Sequence, residues 1–459
     1  ANIPVQTVAT VTAPAINIGN PVIGNNLVQA AGLSLGAAPP SNETLTLTSS
    51  DPTHFLLSTS PIVVGTASIT LQLTGGSTSV PTFYMEGQNF SGTAAITATL
   101  TASAPGYTNG TATMSLYPTG LTYYFGNNTL STTTFSGPTG LTVYLVTLTP
   151  GTLTLYTLSG NPVGPQAGPI PVAVTSTNTS VGTVTGSPSS IGVGTCFTSA
   201  ISFNPATAGT TNLNLATPAG YSTPSNSSVQ IVTTVTAPAI NFSNQIIGNN
   251  TILAGSISLA AAPPSNETMT ITSSDPNHFL LATSPTAVGT ASITLQLIGG
   301  SLNVPQFYIE GQNFSGPIAI SATLTASAAG YSDGITTVSL YPTGLTYFGN
   351  GTLSTTTTSG PTAVGVYLVV LSPGTLTVYT YGYTLGPQAP GAVPVSVTSS
   401  NTSVGTVTGS PASIGVGAYF TSGISFVPVA TGTTNLSLLA PAGYFNPSNA
   451  PVQIVATVQ

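Results

Sequence analysis

Residues 95–103 read AITATLTAS, and residues 68–74 read SITLQLT. In both stretches apolar residues alternate with hydroxyl or amide residues, as they do in TLTLTS at 44–49 and LTVYLVTLT at 141–149. A period of two places successive side chains on opposite faces of a β-strand, so each stretch predicts a strand with one buried face. Turns rich in Pro, Gly, Asn and Ser separate the stretches. We therefore expect an all-β chain with almost no helix.

The chain is one long unit written twice. EGQNFSG at residues 86–92 recurs at 310–316, a shift of 224 positions. NTSVGTVTGSP at 178–188 recurs at 401–411, a shift of 223, because one residue is dropped in the second copy. A repeat of this length indicates structural units that share one design and stand next to each other.

Each long unit is itself double. A Gly-Tyr pair that closes a Pro/Ala-rich turn occurs once every 110 to 114 residues, at positions 106–107, 220–221, 330–331 and 443–444. We therefore predict four modules in the order A-B-A-B. The predicted bounds are 1–117 for module A1, 118–228 for B1, 229–341 for A2 and 342–451 for B2, with 452–459 starting a further repeat or serving as an exchanged strand.

The module plan fits a known type of sandwich. About seven short strands in each module suit an immunoglobulin-type fold, so we expect tandem immunoglobulin-like β-sandwiches in a linear array. With its TS-x-(D/N) turn, Thr-rich strands and Gly-Tyr turn, the module resembles the bacterial immunoglobulin-like domains that stand in tandem in large extracellular surface proteins. The uncharged, Thr/Ser-rich composition also resembles, less specifically, the strand-exchanging surface filament subunits of archaea. These resemblances imply an extracellular, cell-surface location and bring no catalytic residues.

The sequence contains no Lys and no Arg, although a chain of 459 residues ordinarily carries roughly 50. Nucleic-acid binding depends on basic side chains that neutralise phosphates, so this class of function is excluded. Anionic membrane surfaces and phosphate-bearing cofactors lose their usual basic partner as well. No apolar run reaches the length of a membrane span. The single cysteine, Cys196, cannot form an internal disulfide.

The two ends of the sequence resemble each other. NIPVQTVATV at residues 2–11 matches NAPVQIVATV at 449–458. Two interpretations follow and stay open at this point. Either the residues are a window on a longer tandem array, or the terminal strand segments complete neighbouring subunits of a polymer. Both interpretations make the chain a component of a fibre.

All seven acidic residues and both His residues lie in A modules. One interpretation is a Ca²⁺ or transition-metal site formed by Asp51, His54 and one Glu, because hard cations take several oxygen ligands and His suits zinc. We favour a turn with Asx hydrogen bonding at Asp51-Pro52 and solvated His and Glu side chains, since module B1 carries Asn178 at the position of Asp51. No cofactor is therefore expected. The weak candidates for a metal site are Glu43, Asp51, His54, Glu86, Glu267, Asp275, His278 and Glu310.

Nothing in the sequence indicates catalysis. An acid/base pair such as Glu43 and Glu86 would have to converge in a pocket, and a Ser-His-Asp arrangement around His54 has no G-x-S-x-G elbow to support it. Tyr419 replaces Cys196 in the second copy, which argues against a required thiol nucleophile. We expect a protein that is not an enzyme.

Asparagine-linked glycosylation is a further candidate modification, provided that the host glycosylates its surface proteins. The N-x-(S/T) motif marks an acceptor for such glycans. Attached sugars would supply the hydration that surface charge ordinarily provides. The candidate positions are Asn42, Asn89, Asn109, Asn127, Asn178, Asn226, Asn241, Asn249, Asn266, Asn313, Asn350, Asn401 and Asn435.

These observations predict a structural component of an extracellular filament, sheath or stalk built from repeated β-sandwich modules. Its main partner would be itself, as a homopolymer or as neighbouring repeats of one long chain, with glycans as further partners. The alternative is a cell-surface adhesin array that binds carbohydrate or another cell. A binding tip should interrupt the repeat with a divergent loop, and the sequence contains none.

Trypsin should leave this chain intact even after the chain is unfolded in urea, because trypsin cleaves only after Lys or Arg and the sequence has neither. Gel electrophoresis should show an unchanged full-length band, while chymotrypsin, which cleaves after aromatic residues, fragments the same sample. Tryptic fragments of the purified chain would contradict this prediction.

Overall fold

The computed structural model describes residues 8–124, 128–158, 160–349 and 351–459. In this part of the chain the regular structure consists of β-strands without any helix, which confirms the all-β prediction. Accordingly, the described residues include no helix that is long and apolar enough to cross a membrane. The chain divides into two compact units, Ala1–Thr236 and Ala237–Gln459.

In unit 1, module A1 folds as two facing sheets. Hydrogen bonds order one sheet as β2-β10-β9-β5-β7 and the other as β3-β8-β6, while β1 pairs with β4. Leu45 and Leu100 from the first sheet pack with Phe55 and Phe83 from the second in one hydrophobic core. The strands are β1 (Ile16–Ile18), β2 (Val22–Gly24), β3 (Val28–Ala31), β4 (Leu33–Leu35), β5 (Glu43–Ser49), β6 (Phe55–Ser58), β7 (Ser68–Leu73), β8 (Phe83–Gly87), β9 (Ile96–Ser103) and β10 (Gly110–Tyr117).

Module B1 completes unit 1 with a second pair of sheets. Their orders are β11-β13-β19-β17, with β14 paired to β13, and β12-β21-β20-β16, while β15 pairs with β18. Leu141 and Phe203 from one sheet pack with Leu213 and Ile231 from the other. The strands are β11 (Thr119–Tyr123), β12 (Thr129–Thr133), β13 (Thr139–Leu148), β14 (Leu155–Thr157), β15 (Ile170–Val172), β16 (Val174–Ser176), β17 (Gly182–Thr185), β18 (Ser189–Ile191), β19 (Phe197–Pro205), β20 (Gly209–Leu215) and β21 (Gln230–Thr236).

In unit 2, module A2 repeats the plan of A1. One sheet is ordered β23-β31-β30-β26-β28 and the facing sheet β27-β29-β24, which β36 (Thr384–Leu385) of module B2 extends. The strands are β22 (Ile240–Phe242), β23 (Gln245–Gly248), β24 (Thr251–Ala254), β25 (Ile257–Leu259), β26 (Glu267–Ser273), β27 (Phe279–Ala282), β28 (Ser292–Leu297), β29 (Tyr308–Gly311), β30 (Ile320–Ala328) and β31 (Gly334–Tyr341).

Module B2 repeats the plan of B1. Its sheets are ordered β32-β34-β40-β38, with β35 paired to β34, and β33-β42-β41-β37-β39. Val366 and Phe426 pack with Leu436 and Ile454 in its core. The strands are β32 (Thr343–Tyr347), β33 (Thr352–Thr355), β34 (Thr362–Leu371), β35 (Val378–Tyr381), β36 (Thr384–Leu385), β37 (Val393–Ser399), β38 (Gly405–Thr408), β39 (Ala412–Ile414), β40 (Phe420–Pro428), β41 (Gly432–Leu439) and β42 (Gln453–Val458).

Each module closes one sheet in the same way. A short strand near the start of the module runs parallel to its last strand: β2 with β10, β12 with β21, β23 with β31, and β33 with β42. The strands alternate buried and accessible residues as the period-two sequence predicts, with Ala112, Met114 and Leu116 of β10 facing the core. Two facing sheets with this closure confirm the expected immunoglobulin-like β-sandwich.

Two predicted boundaries are wrong. Strand β21 falls in the stretch assigned to A2, but it pairs with β12 and β20 and so belongs to B1. Residues 452–459 were expected to start a further repeat or to act as an exchanged strand. Instead β42 pairs with β33 and β41 of its own module. Each B module therefore ends with a strand of its own, and B1 ends at the boundary between the two units.

The Gly-Tyr pairs lie in turns whose geometry requires glycine. The four glycines, at 106, 220, 330 and 443, have φ angles of 75° to 86°, a left-handed conformation that costs glycine little and other residues more. In the A modules the tyrosine that follows holds a loop of the same module. The hydroxyl of Tyr107 donates to the carbonyl of Ala37, and that of Tyr331 to Ala261, both at 2.7 Å.

Removing a core aromatic ring should destabilise unit 2 far more than removing an exposed one. Phe426 is fully buried, whereas Phe348 of the same module is 75 % exposed. Phe426→Ala should lower the free energy of unfolding by about 3–5 kcal/mol because it leaves a cavity, and Phe348→Ala by less than about 1 kcal/mol. Guanidinium denaturation followed by tyrosine fluorescence measures both. Equal effects of the two substitutions would contradict the described core.

Candidate functional site

The first group of candidate residues forms a turn in each A module. Oδ1 of Asp51 accepts the backbone N–H of Thr53 at 3.1 Å, and Oδ2 of Asp51 lies 2.7 Å from Nδ1 of His54. In module A2, Asp275 and His278 form the same contact at 2.7 Å. The hydrogen bond from His54 is the main reason why the pKa of Asp51 lies below its ordinary value. The carboxylate therefore has a local structural partner.

The corresponding turn in B modules needs no charge. Oδ1 of Asn178 accepts the backbone N–H of Ser180 at 3.2 Å and its hydroxyl at 2.6 Å. Asn401 and Ser403 repeat these contacts at 3.1 and 2.6 Å. An amide oxygen thus fills the position of the aspartate, and the side chain shapes an Asx turn in both kinds of module.

The structure does not bring the metal candidates together. Among the described residues, no three His, Cys, Asp or Glu side chains lie close enough to hold an ion. Glu43 and Glu267 stand at the first positions of β5 and β26, away from the Asp-His turns. Each lies near the tyrosine of a Gly-Tyr pair, and burial together with the charge of Glu267 raises the pKa of Tyr331 to about 12.

Two of the acidic side chains are buried, contrary to the expectation that the Glu side chains are solvated. Glu86 on β8 is 3 % exposed and Glu310 on β29 is fully buried. Oε1 of Glu86 accepts the backbone N–H of Gln166 at 2.7 Å, and Glu310 accepts that of Gln388 in the same way. Because these partners belong to the B module, each carboxyl group lies where the A and B modules of one unit meet. We call this contact region the joint of the unit.

Backbone hydrogen bonds extend a sheet of the A module across the joint. In unit 1 the N–H of Gly164 donates to the carbonyl of Asn26 at 2.9 Å, and Val28 donates to Pro162 at 2.9 Å. In unit 2, β24 pairs antiparallel with β36 of the B module. A strand added to a sheet edge removes unpaired backbone groups from solvent and fixes the two modules in register.

Asparagine and tyrosine side chains complete the joint. Asn26 has a φ angle of 64° and donates from Nδ2 to the hydroxyl of Tyr221 at 2.9 Å. Asn250, with a φ angle of 59°, makes the equivalent contact with Tyr444 at 3.2 Å. The Gly-Tyr tyrosine of a B module thus binds the preceding A module, whereas that of an A module binds its own loop.

Each B module also presents a row of aromatic rings that the sequence interpretation missed. In B1 the ring centroids of Tyr124, Tyr144 and Phe197 follow each other at 5.1 and 5.2 Å, and Tyr124 is 65 % exposed. The row of B2 consists of Phe348, Tyr367 and Phe420, spaced at 5.0 and 5.4 Å. The signal that reveals them is that all three positions are aromatic in both copies. We call these two sets the aromatic rows.

A groove of about 530 Å³ adjoins the aromatic row of B1. Its described lining consists of Thr, Tyr, Asn, Leu and Ser residues, among them Tyr124 and Asn226, without a carboxylate or an imidazole. Acid/base catalysis requires a titratable group that can transfer a proton near neutral pH. The groove therefore offers hydroxyl and amide groups for contact and none of the usual acid/base groups.

The glycosylation candidates differ in accessibility. Asn249 is 3 % exposed and its Oδ1 accepts the N–H of Phe314 at 3.1 Å, so a sugar at this position would disrupt the packing of module A2. Asn435 on β41 is half-buried. Asn127 and Asn350 lie outside the described residues. The exposed candidates are Asn42, Asn89, Asn109, Asn178, Asn226, Asn241, Asn266, Asn313 and Asn401.

Cys196 is a half-buried free cysteine. It contacts a neighbouring strand through its backbone carbonyl group. Its carbonyl accepts the N–H of Leu145 at 2.9 Å, and the carbonyl of Tyr419 accepts that of Leu368 at 2.8 Å in the second copy. The shared contact involves no side-chain atom, which explains why the two copies tolerate different side chains.

Acid should weaken module A1 through the Asp-His turn. Because the pKa of Asp51 is lowered in the folded chain, its stabilising contribution is present above its ordinary value of 3.8 and is lost as pH falls below it. The melting temperature of Asp51→Asn should therefore fall less than that of the parent chain between pH 5 and pH 2. The contribution of the Asp51–His54 contact to the free energy of unfolding should stay below about 1 kcal/mol because the pair is partly exposed. Asp333→Asn, at an exposed position, is the control and should behave like the parent chain.

Comparison with known proteins gives similarities in structure alone. No protein-family model and no curated protein matches the chain. A tetra-tandem repeat from the extending region of a large adhesion protein is similar at 14% identity over 97% of this chain and 98% of that chain, with a TM-score of 0.19. Domains 4–9 of the surface layer protein SbsC match at 14% identity over 90% of this chain and 57% of that chain, with a TM-score of 0.21. Immunoglobulin domains 1–5 of Sidekick-1 match at 10% identity over 97% of this chain and 80% of that chain, with a TM-score of 0.26.

By its own sheets, cores and strand order, the chain is an all-β tandem array of immunoglobulin-like β-sandwiches.

Proposed function

We propose that this protein is a structural, non-enzymatic component of an extracellular filament, sheath or stalk. Its four predicted modules A1, B1, A2 and B2 would act as rigid spacers. The role is mechanical: the modules resist deformation and set distances along a fibre. The main partner is the protein itself, either as further copies of the chain or as further repeats of the same array.

The observation that carries the proposal is the joint, which occurs twice in one chain. In both units a buried glutamate accepts a backbone N–H of the B module, and an asparagine with positive φ binds the tyrosine of that module. Loosely tethered domains need no such shared hydrogen bonds, and their relative motion is the default expectation. A joint repeated with the same residues supports a design in which the two modules of each unit are held together.

The distribution of chemically reactive groups supports the same role. Within the described residues the Asp-His pairs shape turns and the buried glutamates join modules. The absence of Lys and Arg removes trypsin sites from the whole surface. A fibre outside the cell benefits from both properties. Its Asp-His pairs and buried glutamates serve the fold, and trypsin-type proteases find no cleavage site.

Two modes of assembly fit this proposal. In one mode the chain is part of a longer tandem array. In the other, the segment at 2–11, whose sequence matches that of β42 and its flanks, adds to a sheet of a neighbouring copy. Exposed apolar side chains in this segment favour the second mode: Val8 is 85 % exposed and Val11 is 94 % exposed. Strand addition at a sheet edge would bury them.

A second candidate function, an adhesin array, is favoured by the aromatic rows. Exposed, closely spaced rings offer apolar faces for a neutral ligand such as carbohydrate, and aromatic residues are enriched in binding surfaces. The rows occur at equivalent positions of B1 and B2, so an array would present the same surface repeatedly.

Electron microscopy of native surface material, combined with two variants of the purified chain, tests the proposal. Immunogold label should decorate regular fibres or a sheath. If strand addition drives assembly, Val8→Asp/Val11→Asp should abolish fibres of the purified chain, because charge cannot enter an apolar sheet edge. Val288→Asp, at a position that is 62 % exposed within module A2, is the matched control and should leave assembly unchanged.

The outcomes separate the possibilities. Fibres of the purified chain that survive Val8→Asp/Val11→Asp exclude strand addition by this segment. A purified parent chain that forms no fibres, although the native material contains labelled fibres, supports the longer array. Label that is dispersed without any fibre or sheath overturns the structural proposal. Glycan-array binding that is lost in Tyr124→Ala/Phe348→Ala, in material without fibres, would establish the adhesin instead.

A further inference from the structure

The carboxyl groups of Glu86 and Glu310 lie in surroundings that offer no opposite charge. Glu86 on β8 is flanked by Val28 of β3 and Leu56 of β6 in the sheet register. Apart from Glu86, the titratable side chain on β8, β3, β6 and the segments 62–66 and 162–166 is Tyr84, and Tyr221 lies across the joint. His54 and His278 directly precede β6 and β27, and each is paired with an aspartate of its own turn at 2.7 Å. In unit 2 the corresponding titratable neighbours are Tyr308, Tyr383 and Tyr444. None of these tyrosines can supply a positive charge.

Each carboxyl group is only half satisfied by hydrogen bonds. Oε1 of Glu86 accepts the N–H of Gln166, whereas Oε2 of Glu86 and Oε2 of Glu310 are buried and have no hydrogen-bond partner among the described residues. Burying an ionised carboxylate with one unpaired oxygen costs far more than burying the neutral acid. The joint is therefore built around a carboxyl group that is more stable in the protonated form.

Glycine makes room for each carboxyl group. A Cβ atom at Gly164 would collide with the carboxyl group of Glu86, and one at Gly386 would collide with that of Glu310. The chain of the B module thus approaches the acid as closely as a backbone can.

Burial raises the pKa of both glutamates above the ordinary value of 4.5. The backbone N–H groups of Gln166 and Gly65 beside Glu86, and of Gln388 and Gly289 beside Glu310, act in the opposite direction and only partly compensate. A folded-state pKa that is raised stabilises the closed joint fully below the ordinary value. This stabilisation is lost as pH rises through the folded-state pKa. The direction is opposite to that of Asp51.

We infer that each joint is a proton-dependent lock, closed when Glu86 or Glu310 is neutral and loosened when the carboxyl group ionises. The two modules of a unit then hold each other firmly in acid and hinge more readily at higher pH. The lock acts within one chain, so it goes beyond the proposed fibre role and does not depend on whether the chain polymerises.

Hydrogen exchange at the amides of Gln166 and Gln388 tests the lock, because these N–H groups donate to the two carboxyl groups. In the full chain, protection corrected for intrinsic exchange should fall between pH 3 and pH 8. The fall should be roughly tenfold for each pKa unit by which burial shifts the group. In Glu86→Gln the amide of Gln166 should lose this pH dependence, since the side chain stays neutral, while Gln388 in the same molecule keeps it. Glu310→Gln should give the reverse result.

The two joints serve as controls for each other. Asp333→Asn, exposed in module A2, should leave both pH profiles unchanged. If Glu86→Gln prevents closure of its own joint, the profile at Gln388 and the reversed variant still decide the question. Protection at both amides that is independent of pH in the parent chain, or a profile that persists in the Gln variants, overturns the inference.

Discussion

Hydrogen bonds between neutral groups, together with apolar burial, hold this protein together, because the sequence contains no Lys or Arg. Among the described residues, the contacts between an acidic and a basic side chain are His54–Asp51 and His278–Asp275. Other polar contacts are made by hydroxyl, amide and backbone groups. Thr211 illustrates this in module B1, where its buried hydroxyl accepts the N–H of Asn178 at 2.9 Å. A carboxyl group that leaves solvent in such a chain can become neutral or take backbone N–H donors, and Glu86 takes such a donor.

The strands and the sandwich could be predicted from the sequence because they depend on local patterns. Alternation over six to ten residues defines strands such as β9 and β10, and the Gly-Tyr pairs mark turns that glycine alone forms easily. The same patterns placed two boundaries too early. Strand β21 follows a loop rich in Pro and Ser, so it looks like the start of a repeat, and only its pairing with β12 and β20 assigns it to B1.

The joint could not be predicted because its contacts join residues far apart in sequence. Glu86 and Gln166 are separated by 80 positions, and Asn26 and Tyr221 by 195. The alternation of apolar and polar residues along a strand does not reveal a contact between residues so far apart. The two Gly-Tyr tyrosines of a unit also look identical in sequence, yet Tyr107 binds its own module and Tyr221 the neighbouring one. The burial of Glu86 follows from this long-range meeting and not from its local surroundings on an alternating strand.

The glycine beside the buried acid also leaves a trace that can be read in other sequences. The acid stands in EGQNF, at 86–90 and 310–314, and the glycine stands in GPQ, at 164–166 and 386–388. The two strings depend on each other, because any larger residue in place of the glycine would push the acid out of its position. Where a related repeat carries both strings about 80 positions apart, we expect its two modules to be coupled in the same way, and where one string is lost we expect the two modules to lack this contact.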